Sequence, residues 1–97
     1  MAVFISLIKY TAQGIRDIKG SPGRLDDARE KLAAIGVTLK DFYLTMGEYD
    51  AVVVIDAPDV ATAARGLLAT GAQGNVSTTT LAALTEDEFR SVVDGLP

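Results

Sequence analysis

Two phenols and a carboxylate, Tyr43, Tyr49 and Asp50, stand close together around Gly47-Glu48. Phenols donate hydrogen bonds and a carboxylate accepts them, so this group suits general acid–base work on a small substrate. These three are the candidate catalytic residues. The same spacing also has a structural reading, in which Gly47 makes a turn, Tyr49 packs and Asp50 caps backbone N–H groups. Tyr10, Gln13, Asn75 and Thr79 join Tyr43, Tyr49 and Asp50 as candidate ligand-binding residues, each able to orient a polar group. Arg16 and Lys19 offer an anion-gathering lip, or simply a solvated loop. The hydroxyls of Ser77, Thr78, Thr79 and Thr80 alternate between two faces, and threonine is in any case a good strand former.

What is missing narrows the chemistry further. The chain has no histidine and no cysteine. That removes the Ser-His-Asp arrangement, cysteine nucleophiles, thiolate metal sites and the commonest haem ligand. Gly71-Ala72-Gln73-Gly74 lacks the lysine and spacing of a phosphate loop. Asp56 and Asp59 read as helix-start acids before they read as cation ligands. No cofactor and no metal are therefore expected.

The elements that must position these residues follow from periodicity. Residues 2–10 alternate as a strand, with Val3, Ile5 and Leu7 on one face and Phe4, Ser6, Ile8 and Tyr10 on the other. The uniformly apolar first set is expected to pack on helices, leaving the mixed second set for a partner sheet or a cavity. Residues 11–22 read as a turn-rich connection in which Ser21-Pro22 opens a helix. Leu25, Ala28, Leu32 and Ile35 then form one apolar stripe, Asp27 and Lys31 are spaced to pair, and Gly36 stops the helix.

A second strand runs from Val37 to Met46, with Leu39, Tyr43 and Thr45 on one side and Phe42, Leu44 and Met46 on the other. Gly47-Glu48-Tyr49-Asp50 turns it into the strand AVVVIDA, giving an antiparallel hairpin. Pro58-Asp59 starts a helix with Val60, Ala64, Leu67 and Leu68 inward. Asn75 to Ala82 make the fourth strand. Thr85 with Glu88 is a capping box for a short terminal helix, whose face of Phe89, Val92, Val93 and Leu96 should dock on the body or on a neighbour.

The order is β-α-β-β-α-β plus a terminal helix, an α+β, ferredoxin-like pattern with a four-stranded antiparallel sheet. Right-handed crossovers put both helices on one sheet face. The other face is too apolar to stand bare, so pairing of two sheets, as a homodimer or larger even oligomer, is expected.

Composition agrees with a folded chain: 97 residues, 48% hydrophobic, 23% charged, net charge −4. A single domain over 1–97 is expected. Up to Glu48 seven basic side chains face six acidic ones, and from Tyr49 onward two face seven. With no basic stripe, nucleic acid is not an expected partner. Apolar runs such as Ala51 to Ile55 are far too short for a membrane span, and the start MAVFISLIKY lacks a basic leader. A cytoplasmic protein is expected.

Three stretches, ISLIKYTAQGIRDIKGSP, FYLTMGEYDAVVVIDAPD and GNVSTTTLAALTEDEFR, closely resemble the GYD-domain family. The likeness runs in order from about Phe4 to Arg90, and the family's Gly-Tyr-Asp signature stands here as Gly47-Glu48-Tyr49-Asp50. The resemblance implies the dimeric α/β-barrel group, ferredoxin-like subunits whose sheets face each other around a cavity. Two departures matter: Ala82 stands where relatives often carry a basic residue, and mechanisms that use histidine cannot transfer. Three functions remain open. The first is a small protein holding a partly apolar molecule in a cavity between two subunits' sheets. The others are a cofactor-independent enzyme acting on an aromatic or enolisable substrate, and a structural assembly unit.

Overall fold

The computed structural model describes all 97 residues. Alternating apolar residues make β1 (Ala2–Tyr10), which pairs antiparallel with β3 (Ala51–Ala57) on one side and β4 (Val76–Ala83) on the other. β2 (Thr38–Leu44) closes the hairpin with β3, so the strand order is β2-β3-β1-β4, that of a ferredoxin-like α+β sheet. Gly47 carries φ +144° in the connecting turn, a conformation open to glycine and costly for other residues.

The expected face assignment of β1 is inverted. Phe4 and Ser6 are buried towards the helices, and Val3, Ile5 and Leu7 lie on the open side. The reason is that both sets are largely apolar, so alternation gives the period but not the phase. Ser6 enters the interior because its Oγ shares a 2.9 Å hydrogen bond with Thr80 Oγ1, which satisfies a buried hydroxyl. The open side carries Val3, Ile5, Leu7, Val52, Val54 and Leu81 across three strands. Buried Phe4, Val37, Leu39, Val53, Ile55, Ala57 and Ala63 form the core on the other side.

Strand β2 departs from simple alternation. Its register with β3 slips between Leu39 and Asp41, a β-bulge. Leu39 and Phe42, expected on opposite sides, therefore both join the core, while Tyr43 faces open. Lys40 lies 3.7 Å from Asp56 across the strands.

The connection 11–22 is helical rather than merely turn-rich. Thr11 caps α1 (Ala12–Arg16), its side chain accepting from the Gly14 N–H, and a 3₁₀ turn follows at Ile18–Gly20. α2 (Ser21–Ala34) begins with Ser21 inside its first turn, not capping it, with Leu25, Ala28 and Leu32 half-buried beneath it. Ile35, just past α2, is largely exposed. The ion pair on this helix joins Asp26 and Arg29 at 3.6 Å, in place of the expected Asp27–Lys31 pair.

α3 (Val60–Ala72) is capped by Asp59 and buries Ala63 and Gly66, with Val60, Ala64 and Leu68 turned outward against expectation. Close approach decides this phase. A Cβ on Gly66 would meet Leu32 Cδ2 at 2.6 Å, so the tight side takes the smallest residues rather than the most apolar ones.

Thr85 and Glu88 complete the capping box of α4 (Glu86–Asp94). No residue of α4 is buried, and Phe89 and Leu96 are about 60% exposed, so this helix does not dock on its own body. No helix is long and apolar enough to cross a membrane.

Candidate functional site

The helices α2 and α3 span the sheet without filling the space beneath them. A cavity of about 110 Å³ remains. The sheet contributes Ile8, Leu39, Phe42, Ala51, Val53 and Ile55, and the helices contribute Leu25, Ala28, Leu32 and Leu67. A water needs roughly 10–15 Å³ of such space, and a cavity of about 150 Å³ lined by apolar groups holds benzene. The volume here thus suits a compact molecule of a few heavy atoms.

Where β1 ends, β4 begins and α2 starts, the lining turns polar: Tyr10, Ser21, Arg24, Thr70, Gln73 and Asn75. Tyr10 OH and Ser21 Oγ are hydrogen-bonded at 3.0 Å. Asn75 Oδ1 accepts from Gln13 Nε2 at 3.0 Å, and Gln13 also donates to the Gln73 carbonyl at 3.2 Å. Arg24 Nη1 donates to both the carbonyl and Oδ2 of Asp17, each at 2.9 Å. Its Nη2 is buried and has no partner.

The residues singled out from the sequence separate into groups. Tyr10 and Asn75 line the cavity, and Gln13 stands behind Asn75 as its positioner. Asp50 lies outside the lining, its Oδ2 accepting the Tyr10 backbone N–H at 2.8 Å. Tyr49 packs with Lys9, whose Nζ is 5.3 Å from the ring centre. Tyr43 and Thr79 belong to the opposite, open face of the sheet, and both are exposed. Tyr43, Tyr49 and Asp50 are therefore not gathered around one enclosed space. The cavity itself lies on the helix side of a single sheet. Arg16 and Lys19 are exposed.

Two carboxylates have distinctly lowered pKa values, and both are at helix starts. The backbone N–H of Thr62 holds Asp59 below the ordinary value, and that of Thr85 does the same for Glu88. Neither lines the cavity. No three acidic residues gather as a metal-holding cluster.

Sequence reasoning passed over Arg24. A signal existed: a cation in the first turn of a helix opposes the helix dipole, and such a placement asks for an explanation.

Comparison with known proteins gives a consistent picture. The family described as GYD domain matches residues 4–93. The glutamine synthetase and cystathionine beta-lyase binding protein of Thermus thermophilus is 35% identical over 85 residues, covering 87% of this chain and 90% of that one. Among solved structures, FFRP-DM1 superposes with a TM-score of 0.58 at 21% identity, over 87% of this chain and all of the other. A hypothetical protein from Pyrococcus horikoshii gives 0.57 at 22% identity, over 89% and 93%. An ACT domain protein from Streptococcus pneumoniae gives 0.50 at 20% identity, over 86% and 90%. At these identities the solved structures share the fold alone.

Proposed function

The chain belongs to the GYD-domain family, and from that premise we propose that it is a small binding protein. It takes a compact, mostly apolar molecule into the space between the sheet and α2 and α3, and it pairs with a second copy through the open sheet face. The cavity carries this reading: a half-open apolar cleft with polar groups at one end is the usual form of a small-molecule site. Pairing is supported by Val3, Ile5, Leu7, Val52, Val54 and Leu81, an apolar face that no helix of the chain covers. An enzymatic reaction in the same space would draw its proton donors from a short list. Tyr10 is the one phenol in the lining, beside the hydroxyls of Ser6, Ser21 and Thr70.

Native mass spectrometry of gently purified protein tests both halves. The expected result is twice the chain mass with a small molecule retained. Ala28→Leu, which pushes a larger side chain from α2 into the chamber, should remove the extra mass and leave the pair intact. A retained molecule that Ala28→Leu does not disturb would sink the cavity reading, and a clean monomer would sink the pairing.

A second reading comes from the Thermus relative, which is named for binding two enzymes. The uncovered face of α4, with Phe89, Val92 and Val93, supplies a surface for such a partner. Sedimentation of this chain with glutamine synthetase tests it, the expected complex being lost in Phe89→Ser/Val92→Ser.

A further inference from the structure

We infer that the cavity is built for a small carboxylate with an apolar body, and that Arg24 is the residue that receives the carboxylate. This rests on the cavity being a ligand site and adds the class of ligand. Three observations converge on it. Arg24 is the only charged residue in the lining, so the chamber has a positive end inside a chain of net charge −4. Its Nη2 is buried with no hydrogen-bond partner, although a guanidinium in the interior needs its donors met. The partner it does have is a weak neutraliser: the Asp17 side chain is 74% exposed and largely solvated, against 23% for Arg24.

The surroundings strengthen the case. Ser21 and Arg24 are three residues apart on α2 and so share one of its faces. The hydroxyls of Ser21 and Tyr10 use one hydrogen in their mutual bond, which leaves the other free to donate to a ligand. Asn75 accepts from Gln13 through Oδ1, so its amide hydrogens are also free. The first turn of α2 contains no acidic residue, and a cation there lies at the positive end of the helix dipole. A bound carboxylate answers all of these at once, with its apolar body lying towards Leu32, Leu39 and Ile55.

Isobutyrate, isobutyramide and isobutanol, similar in shape and different in charge, separate the possibilities in an amide ¹H–¹⁵N titration of the whole chain. Shifts of Ile8, Leu39, Val53 and Asn75 report occupancy. Isobutyrate is expected to bind at least tenfold more tightly than isobutyramide or isobutanol. Arg24→Gln should weaken isobutyrate at least tenfold and leave isobutanol unchanged, while Arg24→Lys should restore part of the loss. If Arg24→Gln does not fold, the ranking of the three probes on the unaltered protein decides alone. Equal affinity for isobutyrate and isobutanol would overturn the carboxylate assignment while keeping the cavity as a binding site. No shift with any of the three would overturn the cavity reading and this inference together.

Discussion

The backbone N–H of Tyr10, at the end of β1, donates to Asp50 Oδ2 at 2.8 Å, and Asp50 N–H donates back along the chain to the Ile8 carbonyl, also at 2.8 Å. One residue at the head of β3 therefore ties down the last turn of β1, where Tyr10 reaches the cavity. Thr45 joins the same knot: its N–H donates to the Asp50 carbonyl at 2.9 Å and its hydroxyl to the Tyr49 carbonyl at 2.7 Å.

Asp50→Asn keeps an oxygen for Tyr10 and loses only the charge, so a cost of about 1 kcal/mol is expected. Asp50→Ala leaves a half-buried N–H unpaired and should cost about 2 kcal/mol. Urea unfolding of the three proteins measures the order. A variant Asp50→Asn of full stability that no longer handles a ligand would show instead that the carboxylate acts on that ligand.

Gly14 is buried against the turn that leads into β4, and a Cβ there would fall 2.0 Å from the Asn75 carbonyl oxygen. Gly14→Ala should displace that turn, break the 3.1 Å bond from Thr11 N–H to Asn75 O, and cost about 1–3 kcal/mol. Gly23, in α2, has nothing within 4 Å of the same atom. Gly23→Ala should raise stability by about 0.5–1 kcal/mol. Thermal melts of the pair check both signs, and equal effects would contradict the packing described.

Val54 stands in the middle of the open sheet face, beside Ile5 and Asp41. If the proposed pairing uses this face, Val54→Lys should leave the far-ultraviolet circular dichroism of the fold unchanged and give a monomer where the unaltered chain gives a dimer. Light scattering after size-exclusion chromatography reads this directly. A pair that survives the lysine places its interface elsewhere.

The carboxylate of Glu88 is held below its ordinary pKa by the Thr85 N–H. A lowered folded pKa means that its contribution is present in full above the unfolded value and is lost as pH falls through the folded one. Because α4 buries nothing, it should fray in acid before the body unfolds. Amide shifts of 86–94 should therefore move towards coil values below the ordinary 4.5 of glutamate. Glu88→Gln should flatten that dependence, and an unchanged profile would show that the cap does not govern it.

The positions of all four strands, the two long helices and the capping box were legible from alternation, spacing and end signals, because each depends on neighbours along the chain. Phase was not. Ser6 belonged to the set expected to meet a partner sheet or a cavity, and its place under the helices depends on Thr80, far away in sequence, which satisfies its hydroxyl. Leu39 and Phe42 share a side only through a bulge that leaves no mark on hydrophobic spacing. Gly66 faces inward because of Leu32 on another helix.

The candidate site was legible only in part for the same reason. Tyr10 and Asn75 were found as polar residues at strand ends, and they do reach the cavity. Tyr43, Tyr49 and Asp50 were grouped by closeness in sequence, whereas the hairpin distributes them between the open face and a turn. Arg24 was not among the residues singled out, since its place in the lining beside Leu39, Ile55 and Thr70 brings together residues far apart along the chain.

The bulge in β2 has a consequence for how copies of the chain can meet. β2 and β4 are the two borders of the sheet, and an unpaired strand border invites another chain to add on and grow a fibre. At Lys40 the regular spacing of N–H and C=O groups is interrupted, and a charged side chain stands at the break. That border is therefore a poor template for a further strand. The same irregularity that carries both Leu39 and Phe42 into the core thus also guards this border against runaway lateral growth.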